Sequence, residues 1–169
     1  WALGAFKTPP ADMRIIRAAA WLSDMSGSDH PDYRGQHAAM RAMHLASAGI
    51  NHEQRVFLAA TLYARYHGYG MEGVLGNAVD LMDDLAIRRA VALGMTFRLA
   101  HAIEPGDQVG ALPGLRSRFR FNRDGDSLEL IVSGVGRMAL GETAVKRLAA
   151  LSEVLSVSYA ITEAQPVAA

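Results

Sequence analysis

The chain has 169 residues, half of them hydrophobic, with 17 basic and 17 acidic side chains and no cysteine. A formal net charge of zero gives no general attraction to nucleic acid or to membranes. The absence of cysteine excludes disulfides, thiol catalysis and cysteine ligands to zinc. No apolar run approaches the roughly 18 residues that a membrane span requires, so none is expected. The length suits one ordinary domain or two small ones.

Apolar residues at helical spacing dominate the N-terminal part of the sequence. Asp12 is placed to cap a first helix. Asn51, with Gln54 three residues later, forms the pattern of a capping box for another helix, which should end at Gly68. A loop rich in Gly, Ser, Asp and Pro is expected over 25–35. The predicted helices cover residues 13–22, 36–48, 51–67, 77–85 and 86–102.

The periodicity changes after a linker-like stretch at 104–114. Strict alternation in "LRSRFRFNR" predicts a half-buried strand. "DGDS" is typical of a turn and "LELIVSG" of its hairpin partner. A helix over 141–156 and a last strand, "VSYAITE", should follow. The fold class is therefore mainly α and then α+β, with a helical domain at 1–105 and a small β-β-α-β domain at 106–169.

Histidines and carboxylates in the first half raise the question of a metal. His30, His37 and His44 are seven residues apart, and His37 and His44 share one face of a predicted helix. Together with Asp24 and Asp29 they could form a His/carboxylate metal cluster. Each His taken alone is more typical of a helix surface or of a hydrogen-bonded core position. The candidate ligands are Asp24, His30 and His37, and we expect them to hold no metal.

Arginine is the predominant basic residue, and its planar fork suits phosphate oxygens, although a GC-rich genome produces the same bias. Arg116, Arg118 and Arg120 form a stripe on the predicted strand that could meet a polyanion or could be a solvated outer face. The segment "ARYHG" places Arg65 and His67 at a helix C-terminus, where the helix dipole favours cations in any case. "GYGMEGVLG" lacks the preceding strand and the Lys of a phosphate-binding loop.

The order of motifs resembles one family along about residues 11–163. "RAAAWLSDM", "DHPDYRG", "HAAM" and "GINHEQRVFLAATLYARYHG", then further helices and a β-β-α-β tail, are similar to the C-terminal half of the Ppx/GppA phosphatases. "HPDYRG", "RYHG" and the interval between them are the most specific pieces. These enzymes are exopolyphosphatases and guanosine pentaphosphate phosphohydrolases. The chain starts at Trp1 without an initiator Met, so we expect it to be the C-terminal part of a longer protein.

The resemblance implies that the helical domain is related to HD domains, and that an N-terminal pair of actin-like ATPase domains precedes it. That pair would carry the catalytic carboxylates, the glycine loops and Mg²⁺. The HD-type motif often has His before an acid, whereas this chain has Ser23 before Asp24. One ligand position is thus lost, while Asp24 and His37 keep the expected residue types. The implied domain is an HD-like scaffold that is not a phosphohydrolase by itself.

The function implied by the resemblance is that of a non-catalytic C-terminal part of an exopolyphosphatase-related cytoplasmic hydrolase. It would bind polyphosphate or guanosine pentaphosphate and form a homodimer, with no membrane or specific nucleic-acid partner. We expect no cofactor and no catalysis in this chain alone. The expected phosphate contacts are Arg34, Arg65, His67, Arg41 and Arg55.

Two alternatives stay open at this point. One is a stand-alone HD-type metal-dependent phosphohydrolase that uses Asp24, His30 and His37 as ligands. The other is a purely structural dimerisation module. Metal analysis separates the metal-dependent phosphohydrolase from the other hypotheses. A test of phosphate-chain binding separates the structural module from the polyphosphate-binding function.

Overall fold

The computed structural model divides the chain by its internal contacts into two units, residues 10–98 and residues 1–9 with 99–169. The division between domains expected at residues 105 and 106 followed the linker composition and stays a prediction, since residues 104–114 lie outside the described part. The structure describes residues 1–7, 12–70, 73–103, 119–133 and 140–164.

The unit formed by residues 10–98 is helical. Its first helix begins at the predicted cap, where Asp12 accepts a hydrogen bond from the Arg14 amide at 2.9 Å. Asn51 and Gln54 form the predicted capping box, in which each side chain accepts from the other's backbone amide at 2.8 and 2.9 Å. A cap of this kind is worth about 1 kcal/mol. The helices are α1 (Met13–Leu22), α2 (Arg34–Met43), α3 (His52–His67), a 3₁₀ helix (Gly76–Leu81) and α4 (Asp84–Ile103).

Helix α3 provides much of the core of this unit. Leu58 and Leu62 are fully buried in its middle. Helix α2 turns the small buried residues Ala38, Ala39 and Ala42 inward, and small side chains allow two helix backbones to approach closely. This packing fixes the position of α2 along α3, which matters because both helices carry predicted phosphate contacts.

Two predicted helices differ from those observed. Helix α2 ends at Met43 rather than at Ala48: the His44 amide still bonds the Met40 carbonyl at 3.1 Å, but the next amide, that of Leu45, turns to the Ala42 carbonyl three residues back. Residues 76–81 form a 3₁₀ helix rather than the start of an α-helix. Asp83 caps α4 by accepting from the Ala86 amide at 2.6 Å, so the two helices stay separate.

The unit formed by residues 1–9 and 99–169 contains the predicted β-β-α-β arrangement. β1 (Phe119–Asp124) and β2 (Ser127–Val132) form an antiparallel hairpin, and β3 (Ser158–Glu163) pairs parallel to β2 after helix α5 (Glu142–Val154). The strand order is β1-β2-β3. The mainly α then α+β class is confirmed.

Apolar residues on strands and helix build the core of this second unit. Its fully buried side chains include Phe119, Leu128 and Leu130 from the sheet and Leu148 and Leu151 from α5. Both leucines lie on the buried face of this helix, together with Ala144. Burial of such side chains, at about 1.5–3 kcal/mol each, is the main force that holds α5 onto the strands.

Strand β1 carries only part of the predicted arginine stripe in the described structure. Arg120 is exposed while its neighbour Phe119 is buried, as the alternation predicted. Arg116 and Arg118 lie outside the described residues. In the part of the chain that the structure describes, no helix has the length and apolar character needed to cross a bilayer.

Candidate functional site

Arg65 lies in the last turn of α3 and is largely enclosed, with 11% of its side chain exposed. Its Nη2 is 3.5 Å from Oδ1 of Asp24, and its guanidinium carbon lies 4.5 Å from the centre of the Tyr66 ring. Its Nε is buried and, within the described part of the chain, donates to no acceptor. An unpaired buried donor costs free energy that an incoming acceptor would recover. Arg65 therefore has unused capacity to bind an anionic oxygen.

Two more arginines lie near Arg65. Burial lowers the pKa of Arg65; Tyr66 and Asp24 act in the opposite direction, and the positive charges of Arg98 and Arg34 lower it further. Burial also lowers the pKa of Arg98. Partly desolvated cations that lie close together repel one another, and an anion placed among them is stabilised. We call Arg34, Arg65 and Arg98 the arginine cluster.

Gly68, the C-cap of α3, has no side chain and so leaves room for the guanidinium of Arg98. A Cβ on Gly68 would lie 2.8 Å from Nη1 of Arg98, and its φ of 92° also suits glycine. The last carbonyls of a helix carry partial negative charge, which favours cations at this end. The end of α3 is thus a favourable place for the half-buried Arg65 and Arg98.

Tyr66 fixes the loop before α2 to the end of α3. Its hydroxyl accepts a hydrogen bond from the Ser26 amide at 3.0 Å. Burial raises the pKa of this hydroxyl, so it stays neutral and can serve as an acceptor at physiological pH. The loop that carries Asp24 is therefore held beside Arg65.

The structure brings three of the predicted phosphate contacts to one end of the helical unit. Arg34 begins α2 and donates from Nε to the Asp29 carbonyl at 2.7 Å. His67 stacks on Tyr63 with ring centres 5.1 Å apart and an interplanar angle of 10°. Gly35 packs against His67, since a Cβ there would meet the His67 ring. The first turn of α2 thus lies against the last turn of α3.

Arg41, also a predicted contact, is engaged inside the loop rather than open to a ligand. Its guanidinium binds both carboxylate oxygens of Asp29, at 2.9 and 3.2 Å, and the Ser26 hydroxyl at 2.7 Å. His37 contacts the same carboxylate at 3.1 Å. Arg41 therefore organises the loop that precedes α2.

Arg55, the fifth predicted contact, lies near the other end of α3. Ten residues of helix separate it from Arg65, which corresponds to about 15 Å. Its Nη2 donates to the Ser47 carbonyl at 3.3 Å. A cavity of about 250 Å³ opens at this same end of the unit, where Asp12, Asn51 and Arg89 are among its lining residues. Arg55 does not share the environment of the arginine cluster.

The three candidate metal ligands have different partners. Asp24 pairs with Arg65, His30 lies 3.7 Å from Asp32, and His37 contacts Asp29. Within residues 1–7, 12–70, 73–103, 119–133 and 140–164, no group of three His, Cys, Asp or Glu side chains is placed to hold one metal ion.

Sequence reasoning missed Arg98 and the role of Asp29. Arg98 is the one charged residue between Ala90 and Ala100, an otherwise apolar and uncharged stretch of α4. A single Arg in such a stretch is a usable signal, because buried charges require a specific environment. Asp29 was considered only as a possible metal ligand, and its Arg41 partner lies twelve residues away.

Asp29 allows a test of the loop by pH. Its carboxylate is 18% exposed; this burial raises its pKa, but hydrogen bonds from Arg41, His37 and Ser26 outweigh it and hold the pKa below the ordinary 3.8. Its contribution to stability is complete above that value and is lost as the pH falls through the lowered pKa. We expect Asp29→Asn to lower the melting temperature at neutral pH, and the difference from the parent to persist down to about pH 4 and then shrink as the pH falls through the lowered pKa of Asp29.

The matched control for this measurement is Asp32→Asn, because Asp32 lies three residues on and its side chain is 79% exposed. It should change the melting temperature little at any pH. An Asp29→Asn effect that stayed constant down to acid pH would show that the charge of Asp29 is not what stabilises the loop.

The chain matches a known protein family over most of its length. In the described residues, a helical unit that contains the arginine cluster is followed by a β-β-α-β unit. The sequence model of the family described as exopolyphosphatase, C-terminal, matches residues 2–161. The chain belongs to this family, so the resemblance to the C-terminal region of the Ppx/GppA phosphatases is confirmed. The comparison with curated proteins returned no match.

Proposed function

We propose that this chain binds inorganic polyphosphate or guanosine pentaphosphate as the non-catalytic C-terminal part of an exopolyphosphatase-related hydrolase. Membership of the exopolyphosphatase C-terminal family supports the coarse function. The observation that carries the binding proposal is the buried Nε of Arg65, which has no acceptor among the described residues. The positive charges of Arg34 and Arg98 act on the same guanidinium.

A phosphate chain fits this arrangement chemically. Its anionic oxygens accept hydrogen bonds from guanidinium groups in the forked geometry that Arg presents. One phosphate would satisfy Arg65, and neighbouring phosphates of the same chain would reach Arg34 and Arg98. Each added contact also relieves the repulsion among the three cations. A polyanion therefore gains more from the arginine cluster than a single small anion does.

The remaining predicted contacts take different parts in the proposal. His67 lies at the same helix end and can add a hydrogen bond, while Arg41 supports the loop beside the site. Arg55 lies too far along α3 to touch a phosphate that is bound at Arg65. We therefore propose Arg34, Arg65, Arg98 and His67 as the contact set.

Dimerisation is the second part of the proposal. Trp21 is 89% exposed on α1, and Met13, two turns earlier on the same helix, is also exposed. Exposed large apolar side chains on one helix face are typical of association surfaces. Sedimentation of the purified chain across a range of concentrations tests this part, and a monomer at every concentration would contradict it.

The proposal places the protein in the cytoplasm. A chain without cysteine is compatible with that reducing compartment, because it needs no disulfide. Cell fractionation tests the location. Mg²⁺ belongs in this proposal to a neighbouring catalytic half rather than to these residues.

Titration of the chain with long-chain polyphosphate at two salt concentrations tests the binding proposal. Three cation–phosphate contacts release counterions, so the affinity should fall roughly 20- to 40-fold between about 0.05 and 0.2 M salt, by analogy with nucleic acids. Orthophosphate, which can meet one or two of the arginines at most, serves as the comparison and should bind far more weakly. Undetectable polyphosphate binding at low salt, or an affinity that does not change with salt, would overturn the proposal.

A further inference from the structure

We infer that Asp24 is an internal competitor of the bound anion: its carboxylate contacts Arg65 where a phosphate oxygen would bind, and it must leave when the anion arrives. The inference rests on the proposed anion binding at the arginine cluster and assigns to Asp24 the control of its affinity. The contact between Nη2 of Arg65 and Oδ1 of Asp24, at 3.5 Å, is its starting point.

The two partners of this ion pair differ sharply in environment. Arg65 is 11% exposed, whereas the side chain of Asp24 is 71% exposed. The guanidinium lies over the Tyr66 ring, and the side chain is largely enclosed, so it has little freedom to move. The carboxylate faces solvent and can rotate away at small cost, because an exposed ion pair is worth at most about 1 kcal/mol. Asp24 is thus the mobile partner.

The pair leaves Arg65 incompletely bound. At 3.5 Å the contact is longer than the 2.7–2.9 Å of a good charge-assisted hydrogen bond. Nε of Arg65 has no acceptor in the segments that the structure describes. A carboxylate at this position therefore neutralises the charge of Arg65 without accepting from all of its N–H groups. A phosphate has more oxygens, so it can replace the carboxylate and form more hydrogen bonds.

Gly27 allows the carboxylate to take this position. The Gly27 amide donates to the Asp24 carbonyl at 3.0 Å, which closes a tight turn. A Cβ added at Gly27 would lie 2.8 Å from Oδ1 of Asp24 and 3.2 Å from its Cγ. The absent side chain leaves the space in which the carboxylate lies over the turn towards Arg65. Gly27 is not among the glycines with positive φ, so its φ suits alanine, whose Cβ would lie 3.2 Å from the Asp24 carbonyl oxygen.

Two variants remove the competitor in different ways. Asp24→Asn removes its charge, and Gly27→Ala displaces the carboxylate while it keeps the net charge of the chain. We expect each to raise the affinity for long-chain polyphosphate about 3- to 5-fold, the change that corresponds to losing one exposed ion pair. Asp32→Asn removes the same charge from the same loop without touching Arg65, and it should leave the affinity close to that of the parent.

A double-mutant cycle locates the effect. In an Arg65→Ala background the gain from Asp24→Asn should disappear, because the group for which Asp24 and the phosphate compete is gone. The melting temperature of Asp24→Asn should stay near that of the parent. A fall of several degrees without any gain in affinity would show that Asp24 is only a structural partner of Arg65, and would overturn the inference.

The outcomes separate this inference from the proposed function. If Arg65→Ala weakens binding but neither Asp24→Asn nor Gly27→Ala strengthens it, the inference fails and the proposed function stands. If Asp32→Asn matches the gain of Asp24→Asn, the effect is general charge and the inference fails as well. If Arg65→Ala binds polyphosphate as the parent does, the anion does not bind at the arginine cluster and both fail together.

Discussion

Replacing Gly94 by Ala should destabilise the helical unit by about 2 to 3 kcal/mol, although alanine is the better helix former by about 1 kcal/mol. Helix α4 passes so close to α3 at Gly94 that an added Cβ would meet the Thr61 carbonyl oxygen. It would also lie 2.7 Å from the Ala64 Cβ and 3.0 Å from the Arg65 amide nitrogen. Backbone atoms cannot yield as a flexible side chain can, so the helices must separate.

Thermal unfolding measures this effect, which should lower the melting temperature by roughly 5–10 °C. Gly49→Ala is the matched control, because nothing lies within 4 Å of a Cβ at Gly49 and its φ is not positive. That variant should be neutral or slightly more stable. A Gly94→Ala protein as stable as the parent would mean that α3 and α4 do not approach as closely as described.

Replacing Arg65 by Ala should weaken the binding of long-chain polyphosphate by about thirtyfold. The change removes a forked, charge-assisted contact worth about 2 kcal/mol, and each 1.4 kcal/mol is a factor of ten. Arg65→Lys keeps the charge but loses the fork, so it should recover only part of the affinity. Calorimetric titration at low salt measures the polyphosphate affinity of the parent, of Arg65→Ala and of Arg65→Lys.

Arg120→Ala is the control for this experiment, since Arg120 is exposed on β1 and belongs to the other unit. It removes one positive charge without touching the arginine cluster, and should change the affinity little. A larger loss from Arg120→Ala than from Arg65→Ala would place the anion on the sheet. Melting curves of each variant show whether lost binding reflects lost folding.

Local signals explain why much of the fold could be predicted from the sequence. The caps at Asp12 and Asn51 depend on residues two or three positions apart, and both formed as predicted. Polar and apolar residues alternate around Phe119, which indicates a strand with one buried face. This prediction does not depend on distant residues. The end of α2 could not be read in this way, because no Gly or Pro stands where the helix ends at Met43.

The site was only partly accessible from the sequence. Arg34, Arg65 and His67 came from the family resemblance, and the structure brings them to one end of the helical unit. Arg98 comes to Arg65 through the packing of α4 on α3, which depends on Gly94 and Gly68 rather than on any local motif. The pairing of Asp24 with Arg65 is likewise a contact between distant segments, and no spacing rule predicts it.

The parallel pairing of β2 with β3 sets an order in which the second unit can assemble. The β1–β2 hairpin closes over a two-residue turn, whereas Leu128 meets Tyr159 only after the whole of α5 has been placed between them. Closing a short loop costs little entropy and is fast, while a distant pairing forms late. During synthesis and refolding, the hairpin therefore exposes the edge of β2 until β3 pairs with it. The last strand acts as the closing step that removes this edge from intermolecular pairing.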